Sequence, residues 1–371
     1  MTRYEMAQIV AKAMAKGANV DKLAAEFADE LDTLGVRVAN LEKKADNVKI
    51  TGQVRYHYAD YDEDGYATKL RSRIWVNGQV NEDWTYTGML ENNQDFKDNA
   101  GNEDTKFQRA YVTGKLGGTK VQAGRQQLFL VDGNLYDTRF DGVVASYGKD
   151  VKLTGFYGKP TNQNKDMLFF GNGYVSRNLD FENVWGAKVD AKFGAVKATA
   201  GYTVFGDGTT SKIDTNPSFG KDPQVTTKDI DDNKIWNVGV AFDVAKDTKL
   251  TADYMKANDY SDDGFAKIKD MGDDAYIIGL SFKGAKASEV GSYGLYAKYY
   301  DQERPTVVAH SMNGLYGSTG FDGYMVGVNY TFAKNIVGAV EYYDLESKDI
   351  GNDQMKSEDM KTLWTQLVFT F

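Results

Sequence analysis

Five arginines are the charged residues of this sequence whose positions could place them in one site, and two aspartates follow the last of these five in the chain. The arginines lie in or beside segments in which polar and apolar residues alternate, and the aspartates lie in an apolar connection between two such segments. Successive side chains of a β-strand point to opposite faces, so the alternation places most of these arginines on a polar face. Guanidinium groups facing carboxylates across water can orient charged and dipolar solutes. The set is Arg55, Arg71, Arg73, Arg109 and Arg125, with Asp132 and Asp137.

Residues for catalysis are few. The chain has two histidines, His57 and His310, and no cysteine. It contains neither a phosphate-binding P-loop nor a Gly-x-Ser-x-Gly nucleophile elbow. His57 is predicted on a polar strand face and His310 in a long loop, so neither suits the lipid-facing Ser–His site of a barrel lipase. We therefore expect no enzyme, no cofactor and no thiolate metal site.

Residues 60–65 match the first half of a calcium-binding loop, Asp-x-Asp-x-Asp-Gly. Such a loop needs a bidentate glutamate at its twelfth position, and that position is Arg71. A solvated turn is the better interpretation, so we expect no metal here.

The elements that must position the arginines are β-strands. From Val48 onward the hydrophobic period is two. We count about sixteen strands of roughly ten residues, the length that crosses a bilayer at a tilt. The apolar faces recur in Ile50–Tyr58, Ser72–Val80, Trp84–Leu90, Trp185–Phe193, Trp236–Phe242, Tyr276–Phe282 and Tyr324–Phe332.

The connections between these strands alternate in length, as in outer-membrane barrels with tight periplasmic turns and long external loops. An even strand count would put both ends of the barrel on the periplasmic side. The short connections are Asn81–Asp83, Gly117–Gly118, Gly148–Asp150, Gly194–Ala195, Ala245–Asp247 and Ala333–Asn335. The long ones are Asp60–Tyr66, Asn92–Thr105, Pro160–Asn183, Gly206–Asn233, Asn258–Asp273, Asp301–Gly320 and Ser347–Asp359.

Composition agrees with this class. The 371 residues include 38 Gly, 24 Tyr and 19 Phe, and the mean hydropathy of -0.52 is low, as expected where lipid-facing and lumen-facing residues alternate. A net charge of -9 argues against nucleic-acid binding. A large soluble all-β protein is the alternative, but its outer faces would have to be polar. The predicted fold is therefore all-β, a transmembrane antiparallel β-barrel of about 16 strands over residues 48–371.

The stretch Val121–Tyr147 differs from the other connections. It predicts a strand (Val121–Gln126), an irregular segment (Gln127–Thr138) and a second strand (Arg139–Tyr147). Because the irregular segment is apolar, we expect it to fold into the barrel as a constriction loop. The alternative is that Gln127–Val131 simply continues as strand.

Arg125 poses a separate problem within that stretch. Strand parity would direct it to lipid, where an arginine at the bilayer midplane costs about 2–4 kcal/mol. A bend at Gly124 that turns Arg125 inward is therefore predicted.

The N-terminal residues Thr2-Arg3-Tyr4-Glu5 form a capping box before a helix over Met6–Lys16. This stretch resembles the last helix of an S-layer homology (SLH) domain, in which a Thr-Arg-x-Glu motif takes part in binding cell-wall polymer. The resemblance implies that residues 1–18 are the end of such a domain, with Thr2, Arg3 and Glu5 in the binding motif. A capping box without a binding role is the alternative.

Residues 19–47 contain heptads typical of a coiled coil. A trimeric periplasmic stalk is predicted, and a single amphipathic helix packed on the barrel is the alternative. The two core positions are occupied by Val20, Phe27, Leu34 and Leu41, and by Ala24, Leu31, Val38 and Ala45.

The last strand alternates apolar residues from Leu363 to a terminal Phe371 and resembles the signal read by the outer-membrane barrel assembly machinery. With Val121–Gln126 as the fifth strand, the barrel resembles trimeric general porins, in which the loop after strand five enters the lumen. That resemblance implies a ladder of wall arginines facing Asp132 and Asp137 across the constriction. The loop departs from the family in lacking its usual acidic, Gly-paired stretch.

The SLH-like helix, stalk and barrel together resemble the OmpM family of porins. The resemblance implies a homotrimer in outer-membrane lipid that lets small hydrophilic solutes and ions diffuse and binds peptidoglycan through its SLH domain. A mainly structural tether with a narrow or closed barrel is the alternative.

Overall fold

The computed structural model describes residues 2–16, 18–33, 47–62, 65–97, 104–161, 165–170, 173–178, 180–214, 224–258, 272–314, 320–348 and 359–371. In this part of the chain, no helix has the length and apolar character needed to cross a membrane.

Three short helices precede the first strand: α1 (Arg3–Ala15), α2 (Asp21–Glu26) and α3 (Ala28–Thr33). The predicted capping box is present, since the Thr2 hydroxyl accepts from the Glu5 amide at 3.2 Å and the Glu5 carboxylate accepts from the Thr2 amide at 2.7 Å.

The predicted stalk is not one continuous helix over its described part. Phe27 lies between α2 and α3, and Phe27 and Leu31 pack with Ala7 and Val10 of α1 in a small buried cluster. The same apolar spacing that suits a coiled coil thus packs three helices of one chain together. The other predicted stalk residues Leu34, Val38 and Leu41 lie outside the described residues, and Val20 is partly buried against the cluster.

The remainder of the chain forms strands. They are β1 (Val48–Asp60), β2 (Tyr66–Gln79), β3 (Thr85–Asp95), β4 (Lys106–Leu116), β5 (Thr119–Leu130), β6 (Tyr136–Gly148), β7 (Val151–Pro160), β8 (Lys165–Phe170), β9 (Gly173–Asn178), β10 (Asp180–Phe193), β11 (Val196–Asp214), β12 (Gln224–Ile230), β13 (Asn233–Ala245), β14 (Thr248–Ala257), β15 (Asp274–Lys283), β16 (Tyr293–Gln302), β17 (Phe321–Ala333), β18 (Ile336–Ser347) and β19 (Asp359–Thr370).

Among the described residues, β8 and β9 form a separate hairpin and 17 strands form one antiparallel sheet. β12 is an extra strand that pairs with the end of β11, and the other 16 close into a barrel. Closure comes from pairing of β1 with β19. Gly52 and Phe371 exchange backbone hydrogen bonds of 2.7 and 3.0 Å, and the Phe371 ring covers Gly52, where a Cβ would lie 2.2 Å from it.

The period-two prediction of the two faces is confirmed. In β13, Trp236, Val238 and Val240 are exposed on the outside, whereas Ile235 and Asn237 between them are buried on the inside. Short connections such as 117–118 and 149–150 lie at the barrel end where β1 begins and β19 ends. The strand ends that the long connections join lie at the other end, as predicted. Two of these predicted connections are partly strand, since Pro160–Asn183 contains β8 and β9, and Gly206–Asn233 contains the end of β11 and β12.

The stretch after the fifth strand departs from its prediction. β5 continues to Leu130 and β6 begins at Tyr136, so the predicted irregular segment over Gln127–Thr138 is wrong and the strand alternative is right. Only a 3-10 turn at Val131–Gly133 and two further residues separate the two strands. Polar and apolar residues alternate here as they do in a strand with one buried face. Pairing of the two strands also gives partners to backbone groups that would otherwise be buried without a hydrogen bond.

Candidate functional site

The β5–β6 hairpin leaves the barrel wall at Gly124. Its φ of +122° is disfavoured for residues with a side chain, and a Cβ there would lie 2.5 Å from the Ala110 carbonyl oxygen. This is the bend that the position of Arg125 predicts. We call residues 125–141 the inner hairpin.

One face of the inner hairpin packs against the inner side of the barrel wall. The Phe140 ring lies over Gly142 and Gly158, which leave room for it, and the Tyr136 ring lies 5.7 Å from the ring of Phe205 on β11. Gln126, Leu128 and Leu130 on the same face are also buried. The opposite face, with Gln127 and Asp137, is left for the lumen.

The tip of the inner hairpin reaches the far wall. Ala309 donates to the Leu135 carbonyl at 3.0 Å, Asp137 donates to the Ala309 carbonyl at 2.8 Å, and Ser311 donates to that of Gly133 at 3.2 Å. Ala309 follows β16, which stands on the opposite side of the ring from β5 and β6. The hairpin therefore crosses the lumen, which supports the predicted constriction although the segment is strand rather than loop.

The connection after β16 also lies inside the barrel, which sequence reasoning missed. We call residues 303–314 the inner loop. Asn233 of β13 donates to the Pro305 carbonyl at 2.8 Å, and Thr362 of β19 donates to the Gly314 carbonyl at 3.0 Å, so the loop lies along the inner wall from β13 to β19. Its run Thr306-Val307-Val308-Ala309 was the available signal, since an apolar external loop is unusual.

A buried carboxylate holds the inner loop. Glu341 on β18 accepts hydrogen bonds from Asn313 of the loop at 2.9 Å and from the hydroxyls of Tyr296 at 2.8 Å and Tyr343 at 2.5 Å.

His310 of the inner loop lies between the rings of Tyr300 and Phe321. Burial, and then the charge of Lys298, lowers the pKa of His310 to about 3.

One apolar cluster joins the inner hairpin and inner loop to the far wall. It unites Leu128, Leu130, Leu135, Tyr136 and Val307 with inward residues of β11–β19. The inward members include Phe205, Ile235, Met255, Ile277, Tyr300 and Met325. This part of the lumen is therefore filled by protein side chains, and the open space lies beside the wall of β1–β4.

The wall of β1–β4 carries the predicted arginines. Arg55 and Arg71 are direct cross-strand partners, as are Arg73 and Glu91, and Arg109 faces the same side through its pairing with Met89. The Arg73 Nε atom lies 2.5 Å from the Glu91 carboxylate. All four arginines are half-buried, so these four predicted residues are brought together on one stretch of wall.

The predicted acidic partners are arranged differently from the expectation. Asp137 is linked to the wall through Gln127, which donates to Asp137 and accepts from Arg109 at 3.0 Å. Asp132, in the turn at the hairpin tip, instead lies near Asp253 on β14 and repels it. Arg125 makes a two-bond pair with Asp141, at 2.8 and 2.7 Å, on the hairpin face that carries Gln127.

Sequence reasoning missed Glu91, Gln127 and Trp364. The sequence pattern could have identified Glu91, because its position in β3 is one of those whose side chains point inward. Trp364 could not be found from its own strand pattern. Its ring stacks on His57 at 4.1 Å, and the Arg55 guanidinium lies 5.4 Å from it.

At the N-terminus, Arg3 is engaged within the three-helix cluster. It donates to Glu30 at 2.5 Å and to the Glu26 carbonyl at 3.0 Å, and it lies over the Phe27 ring. The hydrogen bond between Arg3 and Glu30 raises the pKa of Arg3 and lowers the pKa of Glu30. No group of three or more potential metal ligands occurs within the described ranges.

The sequence matches a known protein family over most of its length. A family model described as Gram-negative porin matches residues 13–360, and the chain therefore belongs to that family. No curated protein matches the sequence.

Solved porins share the fold. OmpF of Salmonella typhi in complex with daunomycin superposes with a TM-score of 0.53 at 14% identity, covering 87% of this chain and 97% of that one. A mutant form of Rh. blastica porin gives 0.51 at 14%, covering 87% and 100%. OmpT of Vibrio cholerae, solved in a trimer form, gives 0.51 at 18%, covering 87% and 99%. The family and barrel place the chain in the outer membrane as a diffusion pore.

Proposed function

We propose that the chain lets small hydrophilic solutes and ions diffuse passively across the outer membrane, with no catalytic step and no cofactor. The observation that carries this proposal is the half-filled lumen. The inner hairpin and inner loop cover the far wall, while four half-buried arginines face water along β1–β4. A water-filled lumen accommodates these charges, whereas a closed lumen would have to bury them at a large desolvation cost.

Single-channel recording of the purified protein in a planar bilayer tests this function. We expect stable open steps whose conductance scales with salt concentration, as in an aqueous pore. A folded, reconstituted protein that stays silent would contradict the pore and favour a closed anchoring barrel.

We also propose that the protein assembles as a homotrimer. Support comes from the heptads at 20–45 and from the trimer form of the similar OmpT. Leu41→Asp would place a charge in the predicted stalk core and is expected to weaken the trimer in native mass spectrometry. An unchanged trimer would mean that the barrel walls are sufficient for assembly.

A tether to peptidoglycan through an SLH domain in the periplasm is the second proposed function. Its support is the Thr2-Arg3-x-Glu5 motif and the separate three-helix cluster that precedes β1 in the chain. Sedimentation with purified cell walls tests it, comparing the unaltered protein with Arg3→Ala. Because Arg3 also pairs with Glu30, the control is Glu30→Gln, which breaks the pair but keeps the arginine. Equal wall binding by all three proteins would contradict a binding role for Arg3.

A further inference from the structure

The lumenal arginines are not equally neutralised. Arg73 pairs with Glu91 and Arg125 with Asp141. Arg109 donates to two neutral oxygens, the Gln108 carbonyl at 2.9 Å and the Gln127 amide at 3.0 Å. Arg55 and Arg71 have no carboxylate within ion-pair distance among the described residues. Three of the four wall arginines therefore lack an ion-paired carboxylate among the described residues, and two of these three, Arg55 and Arg71, are direct cross-strand partners.

The geometry of this pair is costly unless an anion visits it. Arg55 and Arg71 are directly opposite on neighbouring strands, where like charges destabilise a sheet. The Nε atoms of both are buried without a hydrogen-bond partner. Within the described part of the chain, the side-chain acceptor of Arg71 is the neutral Gln53 amide oxygen, at 3.3 Å. Two guanidinium groups with free donors form the natural complement of an oxyanion.

The neighbouring acid, Glu91, forms its hydrogen bonds with other partners. Both oxygens of Glu91 are occupied, one by Arg73 at 2.5 Å and the other by the Asn93 amide at 2.9 Å. The Arg55 guanidinium is also positioned from behind by the Trp364 ring. The pair is therefore held in place without a direct ion pair to a carboxylate among the described residues.

A second positive region lies on the short-turn side of the inner hairpin. A cavity of about 240 Å³ between the hairpin and the wall is lined by Lys120, Lys152 and Lys188, and no acidic side chain lines it. Asp190 lies 3.8 Å from Lys152 and 3.5 Å from Lys188, and no other ion pair of the three lysines occurs among the described residues. Positive charge thus continues from the arginine wall toward the periplasmic mouth, although the whole chain carries a net charge of -9.

We propose that the pore selects anions and that the Arg55–Arg71 pair is a transient binding site for small oxyanions, carboxylates or phosphate, on their way through it. The proposal rests on the pore function and specifies its substrate class. A pair of fixed cations with half-exposed side chains attracts an anion strongly enough to raise its local concentration, yet releases it to water on either side.

The test is the reversal potential of the reconstituted protein under a KCl gradient. Chloride should be at least about twofold more permeant than potassium in the unaltered protein. Arg55→Gln with Arg71→Gln should lower that ratio by about twofold or more, and Glu91→Gln, which frees Arg73, should raise it. Lys286→Gln removes one positive charge from an exposed turn outside the lumen, where Lys286 pairs with Glu289, and should leave the ratio unchanged.

A second measurement addresses binding. Sodium acetate and inorganic phosphate are added separately to the chloride solution, and the chloride current is recorded. Each should reduce the current through the unaltered protein and have a smaller effect on the double variant. The anion that blocks at lower concentration identifies the preferred class.

Three results would overturn the proposal: cation preference in the unaltered protein, a double variant with unaltered selectivity, or Glu91→Gln shifting selectivity toward cations. The measurement on Glu91→Gln still tests the proposal if the double variant does not fold. Absence of any conductance contradicts the pore itself, so failure of the function and failure of its anion preference are distinguishable.

Discussion

The lumen has two unlike walls. Strands β1–β4 present half-buried arginines to water, whereas the inward residues of β13–β18, such as Ile235 and Met325, are buried under the inner hairpin and inner loop. Both walls obey the same alternation, and both have apolar outer faces. The difference lies in what packs inside: one wall has a protein cover and the other does not. An inward apolar residue thus requires a segment that crosses the lumen to cover it.

The largest expected change in stability and conductance comes from loosening the inner hairpin and inner loop where they cover the far wall. Leu135→Ala truncates a side chain with 0% exposure at the junction of inner hairpin and inner loop, and a buried Leu→Ala change costs about 2–5 kcal/mol. We expect a lower midpoint of urea unfolding and a larger single-channel conductance. Ile278→Ala is the matched control, because Ile278 is 51% exposed on the outer face and should leave conductance unchanged.

The bend is the next most sensitive point. Gly124→Val puts a branched side chain at a φ of +122° and against the Ala110 carbonyl, a strain of about 1–3 kcal/mol. The inner hairpin should shift, and the distribution of conductance levels should broaden. At Gly155 the nearest atom to an added Cβ is 3.9 Å away, so Gly155→Ala should behave as the unaltered protein. Identical recordings from the two variants would show that the bend does not set the constriction.

A smaller effect is expected where the two walls meet. Gln127→Glu would give Arg109 the carboxylate that it lacks, since its present contact is to the Gln127 amide oxygen at 3.0 Å. The change also places a second carboxylate beside Asp137, to which the Gln127 amide now donates, so both effects add negative charge to the lumen. Neutralising one wall charge should lower the anion-to-cation permeability ratio by about twofold to fivefold, with conductance largely kept. Reversal potentials measure the change, and an unaltered ratio would place Arg109 outside the ion path.

The smallest effect is a pH dependence of the inner loop. His310 has a pKa of about 3 in the folded protein, below the ordinary value near 6.5. When the inner loop leaves its packed position, His310 becomes exposed and binds a proton that the buried ring does not bind. The packed position of the loop therefore has its full stability above pH 6.5 and loses stability as pH falls toward 3. The neutral ring is also required locally, because its Nδ1 accepts from the Met312 amide at 3.0 Å.

Noise analysis of single channels at pH 7 and pH 4 measures this loosening. Acid should increase brief opening events, and His310→Gln should reduce the difference between the two pH values. Equal acid sensitivity in the variant would assign the effect to other groups.

Local pattern was enough to predict the barrel and its faces. The outward positions of β1, β2, β10 and β13 follow from alternation, because lipid selects apolar side chains at every second residue. The bend at Gly124 also followed, from the cost of exposing Arg125 to lipid. The extended strand over Gln127–Leu130 was misjudged, since its apolar residues were assigned to a loop when they form one face of a hairpin.

Contacts between distant segments were beyond the sequence. The backbone pairing of Leu135 with Ala309 joins residues far apart in the chain, and nothing in either segment specifies the other. The position of Asp132 near Asp253, away from the arginines, depends on that docking. Likewise Phe27 and Leu31 have a spacing that serves a coiled coil or a helical cluster equally, and only their packing against α1 distinguishes the two over the described residues.

The most direct test of the crossing hairpin is a disulfide across the lumen. The chain contains no cysteine, and Tyr136 and Ala309 are bridge partners in adjacent backbone segments, which brings them within the range that a disulfide requires. The double variant Tyr136→Cys with Ala309→Cys is oxidised and analysed on a non-reducing gel after cleavage between the two positions. Two fragments held together until reductant is added are the predicted result. Fragments that separate without reductant, in a protein shown to be folded, would contradict the divided lumen.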